Sequence, residues 1–523
     1  MTAEPRLDAT TISAAGHAGR IALVVAAAGL LLGWLAAHTD LFFADGLRYI
    51  AQAKALDRGS KADGLTSAVD HPAYPLAVVA VHRWIGGQTP DDWQEAAQFA
   101  SIASALLLAV PLYLIAWELF GASASLPGCL VFYAAPLTGH VFADTLSEST
   151  FLLFWAWGLW AALRFLRRGG VGWLAGAVAG SGLAYLTRPE GLLLPLALGA
   201  TLAARPVWVY RGLSRVRGAV AVVMLLIGSV AVVGPFAALK GGLATKPSVA
   251  RLLGTAPRSA AHAVERQRPL DPKQSASKTY ALAAKAVLKA VTESVTLPLL
   301  PFAALGLLGV RPRGASSRQW TLLAVIGFAS VLALLRLHAT GGYCSPRHAM
   351  ILALLLLPAA GFGLGRTAAT VAALAPGRGR KALAWGAAAL ALALTLAPRT
   401  LAPVNEGLGG YKEAGRWLAG RSGEPGRVVD VTGWSQFYGG RDGYTFENLI
   451  SAPADPEARW VVVGEAHLAG PWSYCKQLDA LVQGQTPVHV FAGPIAGGVR
   501  PTRVLLFDRR PSLALAPRAA DRR

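Results

Sequence analysis

Seven ionisable residues stand at the ends of long apolar segments, where their types and grouping could support chemistry. They come from five separate connections, and none lies in the middle of an apolar segment: Asp45, His71, Asp144, Glu148, Arg188, Glu190 and Arg347. Guanidinium groups bind phosphate oxygens in pairs, and a nearby carboxylate can accept a proton from an attacking hydroxyl. Such a set at one membrane face predicts group transfer from a lipid-linked phosphate to an acceptor hydroxyl. Hydrolysis is disfavoured, because no motif indicates a metal-activated water or a nucleophile elbow.

Each of these residues alone also has a purely structural explanation. Asp45 could cap a short helix, and Glu148 and Glu190 fall in first helical turns, where the dipole favours negative charge. His71 belongs to "HPAYP", a rigid turn, and Arg347 could extend its head toward water at a membrane boundary. Taken singly, the structural explanation is favoured for Glu148, Glu190 and His71. A chemical role is favoured for Asp45 and Arg347.

The composition indicates a membrane protein that positions these residues on helices. Of the 523 residues, 54% are hydrophobic and only 15% are charged, and the mean hydropathy is +0.44. Apolar runs of roughly 17–25 residues recur, the length needed to cross about 30 Å of hydrocarbon. They predict about eleven transmembrane helices, at residues 21–37, 96–117, 126–143, 148–166, 171–186, 191–204, 218–239, 287–310, 320–338, 349–365 and 382–397.

The net charge of +20 reports orientation rather than nucleic-acid binding. Four short loops carry much of the basic charge: residues 164–170, 205–217, 311–318 and 366–381. The loops that alternate with them, at 138–147 and 186–190, hold at most one Lys or Arg. This positive-inside pattern predicts a cytoplasmic N-terminus. The expected location is the plasma (inner) membrane. The seven candidate residues and the C-terminal region then lie on the extracytoplasmic side.

The chain divides into a membrane body and a smaller C-terminal domain. The predicted units are a cytoplasmic tail (1–20), the transmembrane body (21–397), an extracytoplasmic α/β domain (398–510) and a basic tail (511–523). Short helices at 411–420 and 472–483 alternate with β-like runs at 427–431, 459–464, 487–491 and 502–507.

Two long outer loops interrupt the body, at residues 40–95 and 240–286. The first contains helical patterns at 46–57 and 75–85, which are predicted to lie along the interface with Phe42, Phe43, Tyr49 and Trp84 at headgroup depth. The second is polar and rich in breaks, and is predicted to be lid-like.

Three cysteines exclude a disulfide framework or a cysteine-based metal cluster. Cys344 and Cys475 both fall on the predicted outer side and could pair, although independent thiols are favoured.

An ordered set of short motifs resembles the GT-C superfamily of polytopic glycosyltransferases. The motifs are "ADGLRYIAQAKAL", "HPAYP", "ADTLSESTF", "YLTRPEGLLLP" and "SPRHAMILALLLLP", followed by an outer α/β domain. They are most similar to the branch of protein O-mannosyltransferases and aminoarabinose transferases, with its bacterial homologues. The resemblance spans residues 21–397 and is looser beyond. It implies a transmembrane all-α catalytic domain that uses polyprenyl-phosphate sugars and inverts the anomeric centre.

The resemblance also implies roles for individual residues. Asp45 matches the acidic residue of the first loop, which acts as general base, while Gly46 stands where the family often has a second acid. Arg188 in "TRPEG" and Arg347 in "SPRH" match contacts to the donor phosphate. The other implied site-lining residues are Arg48, Tyr49, His71, Tyr74, Asp144, Glu148, Glu190 and His348, with the choice between Asp144 and Glu148 left open.

The implied partners are a polyprenyl-phosphate-linked sugar, an acceptor that is a protein, lipid or glycan, and the bilayer. Nucleic acid is not expected. No cofactor is required, although a divalent cation (Mg²⁺ or Mn²⁺) is compatible with carboxylates beside a phosphate. The alternatives are a transporter or lipid-sugar flippase and, after that, a non-catalytic scaffold. The transferase is preferred because the charges lie at helix ends, without a visible repeat, whereas transporters place them near the midplane.

Overall fold

The computed structural model describes residues 13–203, 215–243, 246–254, 276–309, 316–373, 380–470, 473–492 and 502–509. The predicted basic tail and parts of the N-terminal tail and of the loop at 240–286 lie outside the described residues. The α-helices are α1 (Ala14–Ala37), α2 (Asp45–Asp57), α3 (Ala73–Ile85), α4 (Pro90–Phe120), α5 (Ala122–Ala134), α6 (Pro136–Ala143), α7 (Glu148–Arg168), α8 (Val171–Tyr185), α9 (Leu193–Ala203), α10 (Arg215–Leu239), α11 (Pro247–Leu253), α12 (Ala276–Val295), α13 (Leu300–Leu308), α14 (Ser317–Gly341), α15 (Met350–Ala373), α16 (Arg380–Thr400), α17 (Gly410–Ala419), α18 (Trp434–Gly439), α19 (Glu465–Leu468) and α20 (Ser473–Val482).

The membrane body is helical, as predicted. Within the described ranges, seven helices are long and apolar enough to cross a membrane, and nine if each of two bent pairs counts as one span. Two further predicted spans are shorter apolar helices, at Val171–Tyr185 and Pro189–Ala203. The prediction of an all-α polytopic membrane protein with a small α/β domain is confirmed.

Both bends occur next to a proline. The pair α5 and α6 is bent by 67° at Ala135, which precedes Pro136 and has an extended backbone (φ −64°, ψ 127°). The pair α12 and α13 is bent by 81° at Thr296, which has a φ of 72° and is followed by the turn containing Pro298. A proline thus directly follows the break in the first pair and lies two residues after the break in the second, and α6 leads directly to Asp144.

Close glycine packing holds α7 against α8. A Cβ atom on Gly180 would lie 2.6 Å from the Cα atom of Gly158 and 2.9 Å from the carbonyl oxygen of Phe154. Only glycine permits such an approach of two backbones. The contact fixes the start of α7, which carries Glu148, relative to the end of α8, which leads to Arg188.

The C-terminal domain contains one five-stranded sheet. Its strands are β1 (Arg427–Val429), β2 (Gly443–Tyr444), β3 (Ala458–Gly464), β4 (His489–Ala492) and β5 (Arg503–Asp508), in the spatial order β2-β1-β3-β5-β4. Strand β1 is parallel to both its neighbours, whereas β5 is antiparallel to β3 and β4. The four predicted strands are present, and β2 was missed because two residues give no alternating pattern.

This domain packs against the loop at residues 40–95. Asp91 at the start of α4 accepts from Lys412 (2.6 Å) and Arg416 (2.9 Å) of α17, and the Phe42 ring contacts Phe437 and Tyr438 of α18.

The predicted headgroup position is therefore wrong for two of the four aromatic residues. Phe42 and Tyr49 are buried in the protein core, and Phe43 is half-buried and packs against that core. Trp84 is largely exposed, at 83%. Phe42 is buried because the C-terminal domain folds over this loop. Hydrophobic periodicity in the sequence does not reveal that contact.

Candidate active site

Eight charged side chains of alternating sign form one continuous network, which we call the charge chain. In order, its members are Lys246, Asp70, Arg48, Asp45, Arg347, Glu148, Arg188 and Glu190. Each neighbouring pair has a nitrogen-to-oxygen distance between 2.6 and 3.3 Å. Four cations alternate with four carboxylates, so the charge chain is neutral overall. It joins α2, the start of α7 and the turns that precede α3, α9, α11 and α15.

The contact between Asp45 and Arg347 lies at the centre of the charge chain. Arg347 Nη2 is 2.6 Å from Asp45 Oδ2, and the Arg347 guanidinium lies over the Phe43 ring, 4.2 Å from its centroid. Arg48, one turn further along α2, is 3.1 Å from the other Asp45 oxygen. Burial raises the pKa of Asp45, but Arg347 and Arg48 together lower it more, so the net pKa lies below the usual value. Asp45 is therefore ionised at neutral pH.

Glu148 receives two guanidinium groups on a single oxygen. Its Oε1 lies 2.9 Å from Arg188 Nη1 and 3.3 Å from Arg347 Nη1. Its side chain is only 3% exposed, and its Oε2 has no hydrogen-bond partner among the described residues. A buried carboxylate with one free oxygen and two shared arginines leaves hydrogen-bonding capacity for a further polar group.

Asp70 and Lys246 complete one end of the charge chain. Asp70 lies 3.0 Å from both Arg48 and Lys246. Burial acts to raise the pKa of Asp70, but Lys246 and Arg48 outweigh it and bring the pKa to about 2. Neither residue was predicted from the sequence. Asp70 directly precedes "HPAYP", which was a usable signal, whereas Lys246 lies in a polar loop without any motif.

Arg188 and Glu190 form the other end. Arg188 leaves α8 in an extended conformation (φ −153°, ψ 144°), which directs its side chain to Glu148 and to Glu190 at 3.0 Å. Ser147, also missed by the sequence reasoning, lies 3.4 Å from Arg188 and 2.9 Å from the Tyr49 hydroxyl. Tyr49 thus contacts the site through Ser147.

Asp144 lies beside the charge chain without joining it. Its carboxylate accepts from the backbone N–H of Phe43 at 3.0 and 3.1 Å and from that of Thr145 at 2.6 Å. Burial raises the pKa of Asp144 to about 6 despite these bonds. Of the two acids left open by the sequence, Glu148 is therefore the one that contacts both arginines, while Asp144 supports the backbone before Asp45.

Three other predicted site residues are held by contacts of their own. His71 donates through Nδ1 to the carbonyl of Tyr185, and burial, with a contribution from Lys246, lowers its pKa to about 4. The buried Tyr74 hydroxyl donates to the carbonyl of Ala97 at 2.9 Å. His348 accepts at Nδ1 from the Ser345 N–H at 3.2 Å, which caps the turn carrying Arg347.

Gly46 is required by its surroundings. A Cβ atom at this position would lie 1.8 Å from Thr145 Oγ1 and 2.7 Å from Phe42 Cδ2. No side chain fits there in this packing, so a second acid beside Asp45 is sterically excluded.

The described residues do not match a resident metal site. Among them, no group of three or more His, Cys, Asp or Glu side chains could hold a metal ion. Each carboxylate of the charge chain has a cationic partner instead. The cysteines of the described part, Cys129, Cys344 and Cys475, are all free thiols.

The comparisons with known proteins give one family match over part of the sequence and several matches to solved structures by fold. Residues 71–233, less than a third of the chain, match the family described as dolichyl-phosphate-mannose-protein mannosyltransferase. No curated protein matches the chain by sequence.

Three solved structures illustrate the similarity of fold. ArnT from Cupriavidus metallidurans, bound to undecaprenyl phosphate, has a TM-score of 0.57 and 16% identity, with 95% of this chain and 99% of ArnT covered. An Archaeoglobus fulgidus oligosaccharyltransferase tethered to an acceptor peptide has a TM-score of 0.59 and 12% identity. That match covers 90% of this chain and 72% of the oligosaccharyltransferase. The archaeal oligosaccharyltransferase AglB from the same organism, in complex with an inhibitory peptide and a dolichol-phosphate, has a TM-score of 0.56 and 12% identity, covering 89% and 72%. The predicted resemblance to the GT-C superfamily of polytopic glycosyltransferases is confirmed by this shared fold and by the family match over residues 71–233.

Proposed function

We propose that the protein transfers a sugar from a polyprenyl-phosphate carrier to an acceptor hydroxyl at the extracytoplasmic face of the membrane. The observation that carries this proposal is the 2.6 Å contact between Asp45 and Arg347. It puts a carboxylate able to take a proton next to a guanidinium able to bind phosphate. The positive-inside distribution of basic loops supports the proposed side of the membrane.

The proposed reaction is a single displacement at the anomeric carbon. The acceptor oxygen bonds to that carbon while its proton passes to a carboxylate oxygen of Asp45. The bond from the anomeric carbon to the phosphate oxygen breaks, and its electron pair leaves with the polyprenyl phosphate. Attack opposite the leaving group inverts the configuration. Base catalysis of this kind contributes about 10²–10⁴-fold to the rate.

The arginines would bind the donor phosphate. The donor is a phosphodiester with one negative charge, and the departing monoester gains a second. Arg188 and Arg347, which meet at Glu148 Oε1, would therefore interact more strongly with the leaving group than with the donor. Interactions that strengthen as charge develops lower the barrier.

The relatives support the class of carrier and leave the sugar open. The ArnT structure contains undecaprenyl phosphate and the AglB structure contains a dolichol-phosphate and a peptide. A polyprenyl phosphate of similar chemistry is the carrier proposed for this chain, whether the sugar is a hexose or a pentose.

A divalent ion, if it takes part, would arrive with the substrate phosphate, because the described residues offer no cluster for it. The proposed catalytic body comprises residues 21–397. The proposed role of the domain at residues 398–510 is to cover the site.

The direct test follows a radiolabelled sugar from its carrier. Purified protein in lipid vesicles is incubated with a panel of polyprenyl-phosphate hexoses and pentoses and with a cell-envelope extract that supplies acceptor hydroxyls, and loss of label from the polyprenyl-phosphate donor is measured. Release from at least one donor, lost in Asp45→Asn and kept in Asp63→Asn, is expected. Asp63 is a suitable control because it is an exposed carboxylate in the same outer loop. Absence of release from every donor, together with movement of a solute or lipid-sugar across the vesicle, would instead indicate a transporter or flippase.

A further inference from the structure

We propose that Arg347 is exchanged between Asp45 and the donor phosphate, so that Asp45 becomes an effective base only when a donor is bound. This inference rests on the proposed function. It adds a coupling between binding of the donor phosphate and removal of the acceptor proton. In the ligand-free protein Arg347 neutralises the base. In the complex it neutralises the phosphate.

The geometry of Arg347 suits an exchange at one end of its guanidinium group. Nη2 contacts Asp45 at 2.6 Å, whereas Nη1 contacts Glu148 at 3.3 Å. The buried Nε has no hydrogen-bond partner among the described residues. Glu148 can thus hold the guanidinium through Nη1 while Nη2 and Nε turn to a phosphate oxygen. Fork-shaped donation of this kind is the usual way in which arginine binds phosphate.

Asp45 is the partner of Arg347 that is easier to release. Its side chain is 30% exposed, compared with 3% for Glu148. A carboxylate near water regains hydration when its ion pair breaks, whereas a buried carboxylate is left as an uncompensated charge, which is strongly unfavourable. An incoming phosphate therefore displaces Asp45, and Glu148 stays.

The neutrality of the charge chain makes some displacement necessary. All four cations of the charge chain already have carboxylate partners. A bound phosphate therefore adds an anion, and no cation of the charge chain is free to pair with it. Transfer of the acceptor proton to Asp45 removes one negative charge at the same time as the leaving phosphate gains one. Arg347 pairs with whichever of the two groups, Asp45 or the phosphate, carries the additional negative charge. The net charge of the site stays constant during the reaction.

Other charged groups also face Asp45 and must be considered in its titration. On α2, Arg48 lies 3.1 Å from Asp45, and it also pairs with Asp70 before α3. From α7, Glu148 approaches through their common partner Arg347. Arg48 keeps Asp45 ionised in part after Arg347 leaves, while the bound phosphate adds repulsion. The net expectation is a higher protonation midpoint for Asp45 in the complex.

Infrared difference spectroscopy in vesicles can measure this midpoint. The carbonyl band of protonated Asp45 is assigned by its absence in Asp45→Asn and is followed against pH, with and without undecaprenyl phosphate. We expect undecaprenyl phosphate to raise the midpoint by about one pH unit or more, the size typical of losing a close opposite charge. Undecaprenol, which has the same chain without phosphate, should leave the midpoint unchanged.

Two variants separate the role of Arg347 from a direct effect of the ligand. In Arg347→Gln, the ligand-free midpoint should already be raised, and undecaprenyl phosphate should add less than half of the wild-type shift. In Arg48→Gln, the ligand-free midpoint should also rise, but the full ligand-dependent shift should persist. If either variant fails to fold, the wild-type comparison still tests the exchange, because an Asp45 midpoint that does not move when undecaprenyl phosphate binds would contradict it.

The inference and the proposed function fail in different ways. Undecaprenyl phosphate that binds, as detected by native mass spectrometry, without moving the Asp45 midpoint would overturn the exchange and leave the transferase proposal standing. A shift of equal size in Arg347→Gln would also overturn it. If undecaprenyl phosphate does not bind and no label leaves any donor, both proposals are wrong.

Discussion

Arg188 and Arg347 meet on one atom, the Oε1 oxygen of Glu148, at distances of 2.9 and 3.3 Å. The two arginines come from turns in distant parts of the chain, before α9 and before α15. Without an anion between them, two buried guanidinium groups this close would repel each other strongly. Glu148 therefore keeps them together in the ligand-free protein, and a bound phosphate can add to that stabilisation.

Replacing Glu148 should destabilise the ligand-free protein and make it depend on an anion. Glu148→Gln leaves two buried arginines with less negative charge, and breaking a buried pair costs about 3–5 kcal/mol. Undecaprenyl phosphate supplies negative charge at the same place, so it should raise the melting temperature of the variant more than that of the wild type. Thermal unfolding in detergent, with and without the lipid, measures both effects. Glu413→Gln, an exposed acid on α17, is the matched control, and an equal lipid effect in wild type and Glu148→Gln would contradict this role.

Removing the carboxylate of Asp45 should separate catalysis from donor binding. Asp45→Asn should lower turnover by about 10²–10⁴-fold because the acceptor proton loses its base. The same change frees Arg347, so the dissociation constant for undecaprenyl phosphate should stay equal or decrease. Label release and lipid binding are measured on the same preparations, with Asp63→Asn as the control. Weaker lipid binding in Asp45→Asn, or nearly normal turnover, would show that Asp45 has a different role.

Removing the guanidinium of Arg347 should weaken donor binding. Hydrogen bonds to charged groups contribute about 1.5–3 kcal/mol, so Arg347→Gln should raise the dissociation constant for undecaprenyl phosphate roughly tenfold to a hundredfold. Arg366→Gln is a matched control, because Arg366 is exposed toward the other end of α15 and donates to the carbonyl of Gly309. An unchanged dissociation constant in Arg347→Gln would remove Arg347 from the phosphate site.

The helical body was predictable because lipid imposes a length and an apolar composition on each crossing. Over its described residues, each of the eleven predicted segments corresponds to a helix or to a pair of helices separated by a break. The bends at Ala135 and Thr296 were not predicted, although prolines follow both positions. The burial of Phe42 was also missed, because it depends on a domain more than 350 positions further along the chain.

The site was predictable in its residue types but not in its pairings. Asp45 and Arg347 were both named from the sequence, yet nothing local indicates that they touch, since 302 positions separate them. Ser147, Asp70 and Lys246 were missed because their partners come from other elements. The alternation of charges along the charge chain exists only in the folded protein, because its eight residues come from six separate parts of the sequence.

Acid should weaken the end of the charge chain that contains Asp70. Its pKa is lowered to about 2 from 3.8, so its contribution to stability is complete above about pH 4 and is lost as the pH falls toward 2. The size of the shift corresponds to about 2 kcal/mol. The difference in unfolding free energy between wild type and Asp70→Asn, measured from pH 6 to pH 2, should therefore shrink at low pH. A constant difference over this range would mean that Arg48 and Lys246 do not stabilise the Asp70 carboxylate.

A methyl group at position 46 should disturb the site through packing alone. The added Cβ of Gly46→Ala would lie 1.8 Å from Thr145 Oγ1 and 2.7 Å from Phe42 Cδ2, and overpacking of this kind costs about 1–3 kcal/mol or more. Because Asp45 is the preceding residue, turnover should fall as well. Adding Thr145→Ala removes the closest contact and should restore part of both losses. Gly33→Ala is the control, since a Cβ there meets no atom within 4 Å. If Gly46→Ala is as stable and active as the wild type, the start of α2 must be able to move, and Asp45 is held less firmly than these contacts imply.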